Sequence, residues 1–451
     1  MEPFMPETPP QGGDALRREL GLRDMTLFAI SCIVGTRWIA SAAHAGPGSV
    51  TLFALAAVMF VVPLAVATGT LSVRYPGAGG FYVWARNDFG PWHGFLSGWI
   101  YWFSITFWFP SAALFYMSAG LSAFGPFHGQ LAENRTILVA VSLIAIWMPL
   151  VTNLVGMKVG KWTENLGGAA AWLLVGGLAL GALIAYRRAG SATALELAPH
   201  PSWGTLSFWA TIAYAMTGLE LAGLMGGEVH QPERTLPRAG WISSIFITFF
   251  YLAATVSVLV LLRPDQVSEI TGLSQAATAA ERAGGIPKLG TVLNLLVLAS
   301  AVGQFGGMIA SVSRLPYAAA VDGLLPAAFA RVHPRWHTPN LAILCFGGVS
   351  SFLLVVFQFG DSLRAAYQEL VSLMVIAGFF PYVYMFGGAW KAGKRWSAVS
   401  GWVVTVVAIA CAVAPTEAIS SVWLFEGKLA AGVVGVVGSA GIVYKMYCSK
   451  K

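Results

Sequence analysis

Long apolar segments recur along the chain, each about the length of a membrane-spanning helix. Such a helix needs about 20 largely apolar residues, and the connections between the segments are short and rich in Gly, Pro and charge. The pattern predicts twelve transmembrane helices, at about 25–45, 51–73, 92–122, 136–155, 160–186, 205–229, 238–262, 289–317, 339–358, 363–388, 398–415 and 429–447. An all-α integral membrane protein without a large soluble domain is therefore expected.

The composition agrees with a lipid bilayer as the surrounding medium. Hydrophobic residues make up 57% of the 451 residues and charged residues 10%, against roughly 25% charged in an average soluble domain. The four cysteines, Cys32, Cys345, Cys411 and Cys448, are not closely spaced. They are expected to be packed thiols, and the sequence predicts neither a metal site nor a cofactor.

The basic residues predict the orientation of the chain. Placed loop by loop, 18 of the 27 lysines and arginines fall on one side and 8 on the other, with Arg37 left inside the first helix. Since basic residues collect on the cytoplasmic side, both termini are predicted there, in a multi-pass protein of the cytoplasmic (plasma) membrane. Orientation explains the net charge of +7 better than binding to nucleic acid does. Residues 1–22 are predicted to be a disordered cytoplasmic tail without a cleavable signal peptide, and 448–451 a short tail.

Two of the predicted helices are interrupted near their middles. Gly35 and Gly218 each lie beside polar side chains at about mid-span. Backbone at membrane depth leaves the helical ladder only where it lines a protein-enclosed cavity, so the two breaks predict a shared binding cavity. The freed amides and carbonyls suit the carboxylate and the ammonium of an amino acid. The alternative is that both glycines only allow close helix packing.

Two ionisable residues lie near the centre of apolar segments, Glu220 and Arg37. A charge at that depth costs about 3 kcal/mol or more, so each residue needs water, a partner or a function. The two side chains could form a structural pair if the first and sixth helices are neighbours. Alternatively, Glu220 could carry a proton, since its site is alternately wet and dry. Gln304 is the best of the remaining polar candidates.

Several motifs resemble the amino acid, polyamine and organocation transporter superfamily over almost the whole chain. The most specific stretch runs from Thr217-Gly218-Leu219-Glu220 to the loop Glu228-Val229-His230-Gln231-Pro232-Glu233-Arg234-Thr235-Leu236-Pro237-Arg238-Ala239. The segments 74–82 and 313–326 are also similar to that superfamily.

The resemblance implies a five-plus-five inverted repeat with discontinuous helices 1 and 6, working by alternating access. The repeats would span 23–190 and 204–390, with two extra C-terminal helices in 396–447. By position, the amides of Val34, Gly35 and Thr36 would bind the substrate carboxylate, and the break at Gly218 would lie opposite. Ala213, Tyr214 and Thr217 would face the amino group and side chain, with Tyr214 as an aromatic gate. Glu220 matches a glutamate associated with proton sensing.

Two departures from the superfamily pattern concern charge. The first helix usually reads Gly-x-Gly, whereas here it reads Gly35-Thr36-Arg37. A proton-coupled branch carries a lysine in helix 5, but none occurs between Trp162 and Tyr186, and residues 170–172 occupy that position. Arg37 could supply the missing positive charge, or it could bind a substrate carboxylate and favour acidic substrates.

The sequence therefore predicts a secondary active transporter of amino acids, with the proton as coupling ion, and not an enzyme. An amino acid exchanger is the near alternative. A polyamine or organocation carrier would require more acidic residues around the cavity. A membrane-embedded enzyme would require catalytic groups at a shared depth, whereas the seven histidines map to helix ends and loops. A sensor that does not transport is the remaining class.

Overall fold

The computed structural model describes residues 18–124, 131, 134–196, 198, 211–268, 270–357, 363–414 and 421–448, with backbone alone at 157–161, 363–366 and 448. The first eight helices are α1 (Leu22–Ile33), α2 (Arg37–His44), α3 (Gly48–Ala56), α4 (Val62–Arg74), α5 (Phe81–Phe89), α6 (Pro91–Ser122), α7 (Arg135–Leu154) and α8 (Met157–Ala189). The others are α9 (Leu219–Leu224), α10 (Pro232–Leu261), α11 (Gly272–Gly284), α12 (Leu289–Val312), α13 (Arg314–Val321), α14 (Asn340–Val356), α15 (Leu363–Lys391), α16 (Arg395–Ala412) and α17 (Val422–Cys448).

Most of the predicted spans correspond to observed helices. In the described part of the chain, eight helices are long and apolar enough to cross a membrane, and the bent pair α1 and α2 makes nine. Helix α6, with 32 residues, and helix α14, with 17 residues, fall outside that count. Residues 205–210, the start of the predicted sixth span, lie outside the described residues. The chain is therefore a multi-pass helical membrane protein.

Helices α1 and α9 lie at the centre of the bundle. Helix α1 packs against α8, α9, α10 and α12, and α9 packs against α1, α4, α10 and α12. In the span 289–321, formed by α12 and α13, 72% of the most apolar 18 residues are buried. The corresponding share in the span 422–447, within α17, is 17%. Large apolar side chains on outer helices are exposed, including Ile144, Phe352 and Ile442, and in a membrane these surfaces contact lipid.

Three details differ from the sequence predictions. Helices α5 and α11 were expected to be loops, because each is too short and too polar to resemble a membrane span. The predicted N-terminal tail is wrong over residues 18–22, since Leu20 is buried and bridges to Val229 in parallel. The amides of Glu19 and Leu20 donate to the Glu228 carbonyl at 2.9 and 3.0 Å. Residues 1–17 and 449–451 lie outside the described part.

Candidate functional site

The first break separates α1 from α2. The two helices meet at an angle of 47°, and Val34 leaves the helical conformation with ψ of 87°. A Cβ atom at Gly35 would lie 2.7 Å from the Trp38 ring and 3.2 Å from Nε2 of Gln304. Only glycine fits this approach without displacing its neighbours, so the break depends on Gly35.

The second break precedes α9. The chain is helical over 211–215, turns at Met216, and reaches Gly218 with φ of +119°, in the left-handed region. A Cβ atom at Gly218 would lie 2.6 Å from Cγ1 of Ile33, the last residue of α1. The two predicted breaks are therefore present, and they contact each other at the centre of the bundle.

A tyrosine on α10 forms hydrogen bonds with two backbone groups of the first break. The Tyr251 hydroxyl accepts the Gly35 N–H at 2.9 Å and donates to the Ile33 carbonyl at 2.9 Å. Its ring stacks on Phe53, with centroids 5.1 Å apart. Gln304 acts similarly: its Nε2 donates to the Cys32 carbonyl at 3.2 Å. The sequence prediction did not include Tyr251, whose only signal is a hydroxyl group inside an apolar segment.

Other backbone groups of the breaks remain available. The Val34 amide still donates to the Ile30 carbonyl within the last turn of α1. In contrast, the carbonyls of Ala215 and Met216 make no backbone hydrogen bond with any described residue, and the Thr36 amide faces the Tyr116 hydroxyl. Buried backbone groups are nearly always paired. Two acceptors are thus left for a ligand, while tyrosine hydroxyls pair with the amides of Gly35 and Thr36.

Arg37, the first residue of α2, is fully buried. Its guanidinium donates to Oγ of Ser111 at 2.7 Å and to Sδ of Met374 at 3.2 Å. The guanidinium carbon lies 3.9 Å from the centroid of the Trp38 ring and 5.3 Å from that of Trp108. No carboxylate of a described residue lies within 4.0 Å of it.

Glu220, the second residue of α9, is also buried. Its carboxylate accepts the Tyr101 hydroxyl at 2.7 Å and the Gly218 amide at 2.9 Å. The suggested pair between Arg37 and Glu220 is not formed, because neighbours on different helices hold the two side chains apart. Among the described carboxylates, Glu164 and Glu369 are also buried, but they lie nearer helix ends, so hydropathy did not single them out.

A small cavity lies where the two breaks meet. Its free volume is ≈ 20 Å³, enough for about one water molecule. Five predicted site residues line it, namely Tyr214, Thr217, Gly218, Glu220 and Gln304, together with the unpredicted Trp38, Tyr101 and Trp108. The other predicted residues, Val34, Gly35, Thr36, Arg37 and Ala213, are buried outside this lining. The site is closed in this conformation, and a ligand larger than water requires it to open.

The rings around Tyr214 close the cavity on one flank. The Tyr214 ring lies 5.9 Å from Trp38 and 5.8 Å from Phe379, both edge to face. A Cβ atom at Gly378 would lie 2.5 Å from the Tyr214 ring, so the glycine permits this position. The role of Tyr214 as a gate stays a prediction.

The end of the bundle that carries Leu20 is sealed by charged side chains. Arg314 and Glu228 form an ion pair at 2.8 Å, with side chains 1% and 5% exposed. Closer to the surface, Asp322 accepts hydrogen bonds from Tyr82 and Arg86. Burial, with the Asp322 carboxylate beside it, raises the pKa of the Tyr82 hydroxyl, which therefore remains a donor. We call this set the Leu20-side gate.

A vestibule lies at the opposite end of the bundle. Helices α1 and α2 lead from Leu22 to His44, so His44 marks the other end of the bundle. A vestibule of ≈ 260 Å³ lies there, lined by His44, Asp265, Gln266, Val267, Ser268, Ile270 and Tyr367. A pocket of ≈ 290 Å³ also lies on the Leu20 side, where Tyr82 and Leu315 help to line it.

Breaking the Leu20-side gate is expected to expose the cavity. Arg314→Ala leaves the Glu228 carboxylate buried without its cation, which costs about 3–5 kcal/mol in the closed conformation. Cys32 lines the cavity and can report its opening, with the other three cysteines replaced by serine. We expect faster maleimide labelling of Cys32 in Arg314→Ala.

Arg395→Ala, which changes an exposed arginine at the start of α16, is the matched control and should label like the parent. Equal labelling of both variants would show that the Arg314–Glu228 pair does not keep the cavity closed.

Comparison with known proteins places this arrangement in a family. Residues 20–431 match the family described as "Amino acid permease". An uncharacterised transporter of Legionella pneumophila, lpg1691, is 26% identical over 83% of this chain and 81% of its own length. The serine/threonine exchanger SteT of Bacillus subtilis is 25% identical over 85% of this chain and 86% of its own. The crystal structure of MhsT in complex with L-phenylalanine aligns with a TM-score of 0.63 at 16% identity, covering 92% of this chain and 100% of that one.

The MhsT likeness is one of fold, whereas the family match extends through both broken helices and most of the bundle. The chain belongs to the amino acid permease family, within the amino acid, polyamine and organocation superfamily of membrane transporters.

Proposed function

We propose that this permease carries amino acids across the cytoplasmic membrane by alternating access, as a secondary active transporter coupled to protons. The observation that carries the proposal is the contact between the two helix breaks, where Gly218 meets Ile33. The carbonyls of Ala215 and Met216 are left without backbone partners among the described residues, and Ala215 lines the closed cavity. Interrupted helices at membrane depth are the usual binding element of secondary transporters.

The substrate is bound between the two breaks. Its α-carboxylate takes the Thr36 amide, and also the Gly35 amide once the Tyr251 hydroxyl gives it up. Its α-ammonium takes the Ala215 and Met216 carbonyls, beside Thr217 and Ala213. Because the closed cavity holds about one water, Tyr214 and its ring neighbours must move to admit the ligand.

Alternating access requires that the two ends open in turn. The vestibule at His44 is the outer approach in this proposal, and the Leu20-side gate is the cytoplasmic barrier. This orientation follows the distribution of basic residues and places both termini inside. The twelve spans and the five-plus-five repeat belong to the same proposal. Nine spans lie in the described part of the chain, and α6, α14 and the predicted sixth span bring the number to twelve.

Glu220 is proposed as the proton carrier. It is buried at the cavity wall and, among the described residues, has hydrogen-bond donors but no basic residue within 4.0 Å. A carboxyl group in this setting gains or loses charge when the site opens to water. The similarity to SteT, an exchanger, favours one second candidate, obligatory exchange of amino acids without a net proton flux.

Uptake and counterflow in proteoliposomes test the proposal. We expect vesicles preloaded with an unlabelled substrate to accumulate labelled substrate transiently, and an inward proton gradient to drive uptake without preloading. Counterflow without proton-driven uptake would favour exchange. If the protein remains folded and shows no counterflow with any common amino acid, the transport function is contradicted. A membrane sensor that does not transport would then be the remaining function.

Tyr251→Phe tests how the first break is held. The change removes the hydroxyl that pairs with Gly35 and Ile33, leaving a buried donor and a buried acceptor, at about 1–3 kcal/mol each. We expect a lower thermal unfolding temperature for the substrate-free protein, partly restored by substrate.

Tyr384→Phe is the control, since it removes a half-buried hydroxyl that bonds His93 away from the cavity. If the two variants unfold alike with and without substrate, Tyr251 does not hold the break.

A further inference from the structure

Arg37 carries a positive charge that the closed protein does not neutralise. Its side chain is 0% exposed, and its hydrogen bonds go to a neutral hydroxyl and a neutral sulfur, on Ser111 and Met374. Its Nε has no hydrogen-bond partner among the described residues. Within the same part of the chain, no acidic side chain approaches within 4.0 Å.

Such a charge is costly, because transfer of an unpaired ion into a protein interior costs several kcal/mol. The faces of Trp38 and Trp108 offset part of this, since cations bind to the faces of aromatic rings and most strongly to tryptophan. The same contacts fix the guanidinium between α2, α6 and α15. The guanidinium is therefore held in place without an acidic partner among the described residues.

The neighbours of Arg37 line two different pockets. Tyr367, within electrostatic range of the guanidinium, lines the vestibule at the His44 end. Trp38 and Trp108, which cover Arg37, line the central cavity. Arg37 thus has neighbours that line the vestibule and neighbours that line the cavity.

The α-carboxylate and the α-ammonium of an amino acid have binding groups at the two helix breaks, apart from Arg37. The amides of Gly35 and Thr36, which face the Tyr251 and Tyr116 hydroxyls, can take the α-carboxylate, and the Ala215 and Met216 carbonyls can take the α-ammonium. Arg37, immediately after Thr36 in the chain, offers a further group that can pair with a second carboxylate. A neutral amino acid would enter without compensating the guanidinium.

We infer that the substrate is an acidic amino acid, whose side-chain carboxylate pairs with the Arg37 guanidinium. The inference rests on the proposed transport function and specifies the substrate class of the same site. One negative side chain against one buried arginine makes the occluded complex electrically balanced, whereas binding a neutral substrate leaves Arg37 unpaired.

Isosteric substrates give a test that needs no variant. Aspartate and asparagine, and glutamate and glutamine, have nearly the same shape and differ in side-chain charge. In proteoliposomes of the wild-type protein, we expect unlabelled acidic amino acids to compete with labelled glutamate about tenfold or more better than the matching amides, the scale of one buried charge pair. Equal or better competition by the amides would overturn the inference and leave amino acid transport intact. Absence of any amino acid transport would overturn the transport function as well.

Two variants then assign the preference to Arg37. Arg37→Gln removes the charge and keeps hydrogen-bonding capacity, so its preference is expected to move toward the amides. Arg37→Lys keeps the charge, so it should retain the acidic preference with weaker binding, because a lysine cannot reproduce the planar fork. An unchanged acidic preference in a folded Arg37→Gln protein would assign the recognition to another group and overturn the inference.

Discussion

Uptake by Glu220→Gln is expected to lose its dependence on the proton gradient while substrate binding persists. Glutamine has nearly the same size and still accepts the Gly218 amide, and the Tyr101 hydroxyl can turn to accept from its NH₂ group. It cannot exchange a proton in the relevant range. We expect gradient-driven accumulation to fall about tenfold or more, the usual size of coupling between two ligands, and counterflow to continue.

The measurement is uptake of labelled substrate into proteoliposomes over a series of external pH values. Glu426→Gln makes the same chemical change at an exposed carboxyl of α17 and should behave as wild type. A Glu220→Gln protein with the wild-type pH profile would exclude Glu220 as the proton carrier.

Gly218→Ala is expected to abolish transport nearly completely. The residue has φ of +119°, where a side chain adds strain of about 1–3 kcal/mol. Its new Cβ would also lie 2.6 Å from Ile33, an overlap that costs about 1–3 kcal/mol more. Both costs fall on the contact between the two breaks, so we expect binding and counterflow to drop more than tenfold, in line with a loss of about 1.4 kcal/mol or more.

Gly240→Ala is the matched control, because that glycine lies within α10 with no atom near its absent Cβ. Adding Ile33→Ala to Gly218→Ala removes the overlap but not the strain, so partial recovery is expected. If Gly218→Ala transports like wild type, the second break does not require its left-handed residue.

The positions of the breaks were predictable because glycine weakens a helix and polar neighbours at mid-span require partners other than lipid. Gly35 and Gly218 both stand where the helices end. Most ends of the long helices were also predictable to within a few residues, since apolar length is set by membrane thickness, but α10 and α17 begin at 232 and 422 and not at the predicted 238 and 429. Helix α11 was not, because its 13 residues include polar and charged ones and show no span-length signal.

The partners of the site residues were beyond sequence reasoning. Nothing in the order of residues indicates that Tyr251 would pair with Gly35, or that Ser111 and Met374 would hold Arg37, since these contacts join helices far apart in the chain. The suggested Arg37–Glu220 pair was wrong for the same reason. Two opposite charges at similar depth are expected to attract. Only the packing of the side chains shows that Trp38 lies against Arg37 and Tyr101 against Glu220.

A structure of the protein in lipid nanodiscs with a bound amino acid tests the central claim most directly. The account predicts that the ligand lies between residues 34–36 and 215–218, in an enlarged cavity, with its carboxylate at Thr36 and its ammonium at the carbonyls of the second break. A ligand bound elsewhere, with both breaks unchanged and the cavity still the size of one water, would contradict it.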